Sequence, residues 1–196
     1  ALRIARIESP WFKNAMIRFI ANKFGVDWSE AASSDLGDYK HFNAFFTRAL
    51  KPGARPVCEG PLEIACPADG AISQLGEIQN GRIFQAKGQD FSLLELLGGQ
   101  ADLAAAYQDG LFATVYLSPK DYHRVHMPLA GTLERMVHIP GDLFSVNSVT
   151  AQHVPRLFAR NERVVCHFVT EAGPMAVVLV GAMIVAGSDG FRKNAY

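Results

Sequence analysis

The chain has 196 residues, 49% of them hydrophobic, with 17 glycines and a net charge of zero. That suffices for one domain, or one with an appendage, around a sizeable core, and the balanced charge argues against nucleic acid as the main partner. No apolar run approaches the ~20 residues of a spanning helix, no signal peptide is evident, and Cys58, Cys66 and Cys166, with no Cys-x-x-Cys pair, fit a reducing compartment without a disulfide framework.

The charge is unevenly spread. Residues 1–26 hold Arg3, Arg6, Lys13, Arg18 and Lys23 against Glu8 alone, a balance of +4. Pro10 to Phe24 has helical periodicity, with Phe12, Met16, Phe19, Ile20 and Phe24 on one face and Trp11 and Ile17 at its margins. Ser9-Pro10 supplies a cap and first turn, and Gly25 a stop. Such a helix either packs on a core or lies on an anionic membrane surface, and its different faces can do both. The stretch around Trp28–Ala32 reads as helical, and Tyr39–Leu50 as a second amphipathic helix ended by Lys51-Pro52-Gly53. Pro52 and Pro56 mark an extended linker, which divides the chain into a helical, membrane-associating region (1–55) and a β-rich core (56–196).

Beyond the linker, short alternating segments broken by Gly and Pro predict strands. One follows Pro67-Ala68-Asp69-Gly70. Ser92–Leu97 reads as a short helix stopped by Gly98-Gly99, with more helix across Asp102–Tyr107. Phe112–Leu117, Gly131–Ile139 and Val164–Thr170 read as strands. Met175–Val185 reads as one buried on both faces, because it is continuously apolar and rich in valine. The fold class is therefore α+β, N-terminal amphipathic helices followed by a mainly antiparallel β-rich core.

The most chemically loaded stretch is Ser118-Pro119-Lys120-Asp121-Tyr122-His123-Arg124-Val125-His126-Met127-Pro128. Two histidines, able to carry protons near neutral pH, stand beside an Asp, a Tyr and an Arg. Ser118-Pro119 predicts an N-cap and one helical turn to about His123, then a short strand to Met127. The two rings then serve different steps. The rival, a metal pair on one helix face, lacks a Cys or carboxylate at a supporting spacing. A surface loop with two polar histidines is the plain alternative for the stretch in isolation.

Several stretches in order resemble the bacterial phosphatidylserine decarboxylases: Phe42-Asn43-Ala44-Phe45-Phe46-Thr47-Arg48, Pro67-Ala68-Asp69-Gly70, Tyr116 to His126, Pro140-Gly141-Asp142-Leu143-Phe144-Ser145-Val146-Asn147, Leu157 to Arg163, and Val180-Gly181-Ala182. The resemblance implies a peripheral enzyme on the cytoplasmic face of the bacterial inner membrane, working in phospholipid biosynthesis. It would convert phosphatidylserine to phosphatidylethanolamine and carbon dioxide through a Schiff base to a pyruvoyl group. That group is made by self-cleavage of a proenzyme at a Gly-Ser bond, and it takes the place of PLP as electron sink. By resemblance Asp69 orients and His126 is the base of the self-cleaving triad, whose third member is the cleaved serine. His123 acts later as proton donor to the decarboxylated carbon. Tyr122 and Arg124 surround the site without a catalytic role, and Asp142, Ser145 and Asn147 border the substrate pocket. No metal is expected. The expected partners are a small pyruvoyl-bearing chain, an anionic phospholipid membrane, the lipid substrate and further copies of the two-chain unit.

The family's cleavage motif, Leu-Gly-Ser-Thr, does not occur in the chain. Gly187-Ser188 lies at the wrong distance and lacks the following Thr, so it is not read as the cleavage site. The pyruvoyl serine then lies outside this chain. The chain is read as the large subunit, whether trimmed at its end, joined from stretches that are not contiguous, or truncated. From other classes, a non-catalytic lipid-binding module with the same fold and a metal hydrolase built on His123 and His126 are the alternatives.

Overall fold

The computed structural model describes residues 2–58, 60 and 63–182. By contacts the chain divides into two compact units, Ala1–Ala71 with Val115–Leu129, and Ile72–Thr114 with Ala130–Tyr196. Helices and antiparallel sheet together make this an α+β fold.

In the first unit, helix α1 (Leu2–Ala5) is followed by α2 (Pro10–Phe24), a 3-10 turn at Leu36–Asp38, and α3 (Phe42–Phe46). Pro10 stands in the first turn of α2, and Gly25 closes it in a left-handed conformation, while the Ser9 side chain makes no capping bond. The buried stripe of α2 is Lys13, Ile17 and Ala21, not the expected Phe12–Phe24 face. Met16 and Ile20 flank the core, but Phe19 is exposed. Apolar residues run most of the way round this helix, so tertiary packing selects the narrow stripe. Lys13 tolerates burial because its ammonium donates to the Leu36 carbonyl at 2.6 Å. Phe45 lies at the centre of the unit, edge-on to Trp28 and Tyr39 at 5.4 and 5.5 Å.

The expected helix over Tyr39–Leu50 shrinks to the five residues of α3. The His41 ring accepts from the Ala44 amide and sets its start. Beyond Thr47 the chain is captured by residues 30–32: Ala32 N–H donates to Ala49 O, Lys51 N–H to Glu30 O, and Ala31 bridges Leu50. That pairing also explains why the stretch around Trp28–Ala32 is not helical.

The second unit is built on strands. β1 (Ala71–Glu77) pairs with β4 (Leu111–Tyr116), and β2 (Arg82–Ala86) forms a hairpin with β3 (Gln89–Ser92). Helices α4 (Leu93–Leu96) and α5 (Ala101–Ala105) lie between β3 and β4, with Ser92 capping α4 through its side chain. β5 (Gly131–Ile139), β6 (Arg163–Thr170) and β7 (Gly173–Val180) form an antiparallel sheet in the order β5-β6-β7. Between β5 and β6 run α6 (Ser148–His153) and α7 (Leu157–Arg160). The strand expected at Met175–Val185 ends at Val180 and is only half-buried; residues 183–185 of it lie outside the described residues. The buried strand is β6, because it has a neighbour on each side. Leu157, Val165, Phe91 and Leu97 anchor the core.

Two buried polar residues stitch this unit together. Asn161 accepts from the Phe144 amide and donates to the carbonyls of Phe144 and Gly181. The Arg163 guanidinium donates to Glu95, Leu96 and Asn161 carbonyls, satisfying the open end of α4.

Candidate active site

The candidate chemistry gathers in the first unit, where two backbone hydrogen bonds lay residues 65–67 beside 126–128. Ala65 N–H donates to Pro128 O at 2.9 Å, and His126 N–H donates to Pro67 O at 2.8 Å. Gly70 then brings the chain against Tyr116. Its φ is +129°, and an added Cβ would overlap the Tyr116 carbonyl oxygen.

The histidine stretch is neither helical nor extended into a strand. Ser118 does not act as an N-cap; the Asp121 carboxylate accepts from the Ser118 amide at 2.6 Å, and Asp121 N–H donates back to Ser118 O at 2.9 Å. The acidic residue expected to favour a helix start closes a tight turn instead. From Tyr122 to Met127 the backbone is irregular, so the single bond to Pro67 is all that remains of the predicted strand.

The segment from Phe45 to Arg48 supports this turn from below. Phe46 packs on the His123 ring with centroids 3.9 Å apart. The Thr47 carbonyl accepts from Arg124 Nε at 2.8 Å. Arg48, only 4% exposed, donates to the Lys120 carbonyl at 3.3 Å, while its Nε has no partner among the described residues. Burial pushes the Arg48 guanidinium below its ordinary pKa.

The histidines use their nitrogens differently. His123 donates Nδ1–H to the Asp121 carbonyl at 2.8 Å, since a carbonyl can only accept. Its Nε2 therefore carries the lone pair of the neutral ring. Burial pushes the His123 imidazole below its usual range, against the opposing bond to Asp121. His126 stacks on Tyr122, and its Nε2 shares a 2.9 Å hydrogen bond with the Tyr122 hydroxyl.

Asp69 is gripped from another side. Arg55 donates Nε–H to Asp69 Oδ1 at 2.8 Å and Nη2–H to Oδ2 at 2.6 Å. The same guanidinium donates to both oxygens of Glu30, at 3.0 and 2.9 Å. These bonds hold the Asp69 carboxyl below the ordinary carboxylate range, with desolvation opposing, and raise the pKa of Arg55. No hydrogen bond joins Asp69 to His126 among the described residues. A cleft of about 230 Å³ opens here, lined by Glu30, Arg48, Arg55, Asp69, Lys120 and Tyr122.

Asp142, Ser145 and Asn147 belong to the second unit. Asp142 pairs with Arg160 at 3.0 Å. Asn147 caps α6 through its side-chain oxygen, in a capping box with Thr150, and donates to Ser145 Oγ.

The family model for phosphatidylserine decarboxylase matches residues 42–187. Among similar curated proteins, the phosphatidylserine decarboxylase proenzyme of Pseudomonas entomophila (strain L48) is 68% identical over 186 residues, 95% of this chain and 65% of that protein. That of Pseudomonas aeruginosa (strain LESB58) is 67% identical over 185 residues, 94% of this chain and 64% of that protein. The chain belongs to the phosphatidylserine decarboxylase family. It spans about two thirds of the length of those relatives, just under that fraction in both.

The site of this decarboxylase-family chain also contains residues that the sequence does not single out. Arg55 sits in the Pro52–Pro56 linker, 25 residues from Glu30 and 14 from Asp69. Pairs so far apart leave no periodic signal. Arg48 stands within a family stretch, yet nothing in its spacing announces burial. The Gly187-Ser188 pair, set aside as a cleavage site on sequence grounds, lies outside the described residues.

Proposed function

We propose that the full-length protein carrying this chain cuts itself into two chains and then converts phosphatidylserine to phosphatidylethanolamine and carbon dioxide. The observation that carries this is the convergence, in one unit, of an anchored Asp69 carboxylate with two histidines whose free and bonded nitrogens differ. Family membership, and the word proenzyme in the names of its relatives, support a processed enzyme. In self-cleavage, His126 takes the proton of a serine hydroxyl, supplied from outside this chain, as that oxygen attacks the preceding carbonyl; Asp69 orients the base. In turnover, His123 Nε2 takes a proton from the substrate ammonium and returns it to the carbon that has lost carbon dioxide. The family's pyruvoyl group supplies the electron sink when present. The buried Arg48 guanidinium, which lines the cleft and whose Nε has no hydrogen-bond partner among the described residues, fits a site that receives an oxygen-bearing, anionic group. Asp142, Ser145 and Asn147 are proposed at the border of the substrate pocket, Asp142 through its exposed carboxylate.

The intact mass of the full-length protein, with and without a carbonyl-trapping hydrazine, tests this. The expected result is two chains, the smaller gaining the hydrazone mass. A single chain with no reactive carbonyl and no carbon dioxide release from phosphatidylserine would overturn it in favour of a binding module.

Residues 1–55 are proposed to meet the membrane, at the cytoplasmic face of the inner membrane and as part of a homo-oligomer of the two-chain unit. Trp11 is 80% and Phe19 62% exposed on α2, and Lys23 stands over the Phe19 and Phe24 rings. Exposed aromatics beside cations suit an anionic interface, and no helix among the described residues is long and apolar enough to cross a membrane. Replacing Trp11 and Phe19 together with Ser in the full-length protein should weaken binding to phosphatidylglycerol vesicles by roughly tenfold or more, since each exposed ring would bury its apolar area in the interface. Unchanged co-sedimentation would remove α2 from the membrane contact.

A further inference from the structure

We infer that Arg55 is a positioning residue for self-cleavage: with Glu30 as its own anchor, it aims the Asp69 carboxylate. The inference rests on the proposed role of Asp69 as orienter of the base. Asp69 lies in the bends between Pro67 and Gly70, where no regular element fixes its side chain. Both of its oxygens are taken by one edge of the Arg55 guanidinium, and both Glu30 oxygens accept from that same group. Arg55 Nη1 also donates to its neighbour Ala54 O at 2.7 Å. A planar fork held this way cannot rotate without breaking several bonds, a constraint that a lysine ammonium does not reproduce. Glu30 in turn is fixed by backbone, because its carbonyl accepts from the Lys51 amide at 2.8 Å. Direction thus passes from the 30–32 and 49–51 pairing, through Glu30 and Arg55, to Asp69.

Stability alone does not account for this arrangement. The side chains of Arg55 and Glu30 are 41% and 39% exposed, so solvent screening discounts what even a bidentate network contributes to folding. Asp69, at 21%, is the most enclosed of the three. Among the described residues, the charged or polar groups facing it are Arg55, Glu30 beyond it, Arg48, His123 and the Tyr122 amide, with Asp27, Lys120 and Asp121 lining the same cleft.

Self-cleavage of the full-length proenzyme, followed on gels from pH 8 down into the carboxylate range, provides the test. Asp69 acts as a carboxylate, so its own contribution to cleavage is present above its pKa and lost below it. Arg55→Gln removes the main group holding that pKa down. It should slow cleavage about tenfold or more and move the acid limb upward, because Asp69 then takes up a proton more readily. Arg55→Lys keeps the charge but not the fork, so its limb should stay near wild type while its rate falls. Wild-type rate and limb in Arg55→Gln, with Asp69→Asn blocked, would overturn the inference and leave the role of Asp69 standing. Normal cleavage in Asp69→Asn would overturn that role itself. If Arg55→Gln does not fold, Arg55→Lys decides, and an undiminished rate there counts against positioning by the fork.

Discussion

His126→Ala in the full-length proenzyme is expected to leave a single uncleaved chain, whereas His123→Ala is expected to cleave normally and then lose turnover. The rings differ in ways that support this split. His126 is exposed, with Nε2 sharing a proton with the Tyr122 hydroxyl, so it is open to a serine approaching from outside this chain. His123 is half-buried under Phe46, with its Nδ1 proton committed to Asp121 and its Nε2 lone pair without a hydrogen-bond partner among the described residues. Loss of a positioned acid-base group costs about 10²–10⁴-fold in rate. A drop of about 10³-fold in carbon dioxide release by cleaved His123→Ala enzyme is the expected size. An uncleaved His123→Ala proenzyme would contradict the division of labour.

The pH dependence follows from the same geometry. Nε2 must be unprotonated when the substrate ammonium arrives, and burial favours the neutral ring. Turnover should therefore rise through a pKa below the ordinary imidazole value of about 6.5 and stay level above it. Stability runs the same way. The unfolded chain binds the proton more readily, so the native state loses stability as pH falls through about 6.5 toward the lower folded value. A kcat/KM profile with its acid limb above 7 would count against burial as the controlling factor.

Much of the second unit is legible in the sequence because its signals are local. β5 spans Gly131–Ile139 as its alternation predicts, Ser92 and Gly98 bracket α4, and β4 and β6 differ from the prediction by about one residue at an end. The first unit is less legible because long-range partners override propensity. Residues 30–32 pull Arg48–Lys51 out of a helix that their composition favours, and the Asp121 carboxylate makes a turn where Ser118-Pro119 suggests a helix start. Family motifs single out Asp69, His123 and His126, and these do gather in one unit. The hands that hold them, Arg55 on Asp69 and Tyr122 on His126, are set by three-dimensional proximity, for which a lone arginine in a linker gives no sign.

Gly70→Ala is expected to be the most damaging small substitution among the described residues of the first unit. The glycine φ of +129° is strained for any residue with a Cβ, and that Cβ would collide with backbone, the Tyr116 carbonyl, instead of a side chain able to swing away. Gly25 provides the control. Its φ of +70° is also left-handed, but an added Cβ there meets nothing within 4 Å. Gly25→Ala should therefore cost only the backbone term, about 1 kcal/mol. Gly70→Ala adds an overpacking term and should reach about 3–4 kcal/mol. For a chain of this size that lowers Tm by roughly 10 °C, against about 3 °C for the control. The damage should also reach function. Relieving the collision separates Asp69 from the turn that starts at Ser118, so Gly70→Ala proenzyme should cleave slowly even at temperatures where it stays folded. Equal melting temperatures for the two variants would mean that the chain at Gly70 can draw back from Tyr116 at little cost, and the close approach would then not be what holds Asp69 beside the histidines.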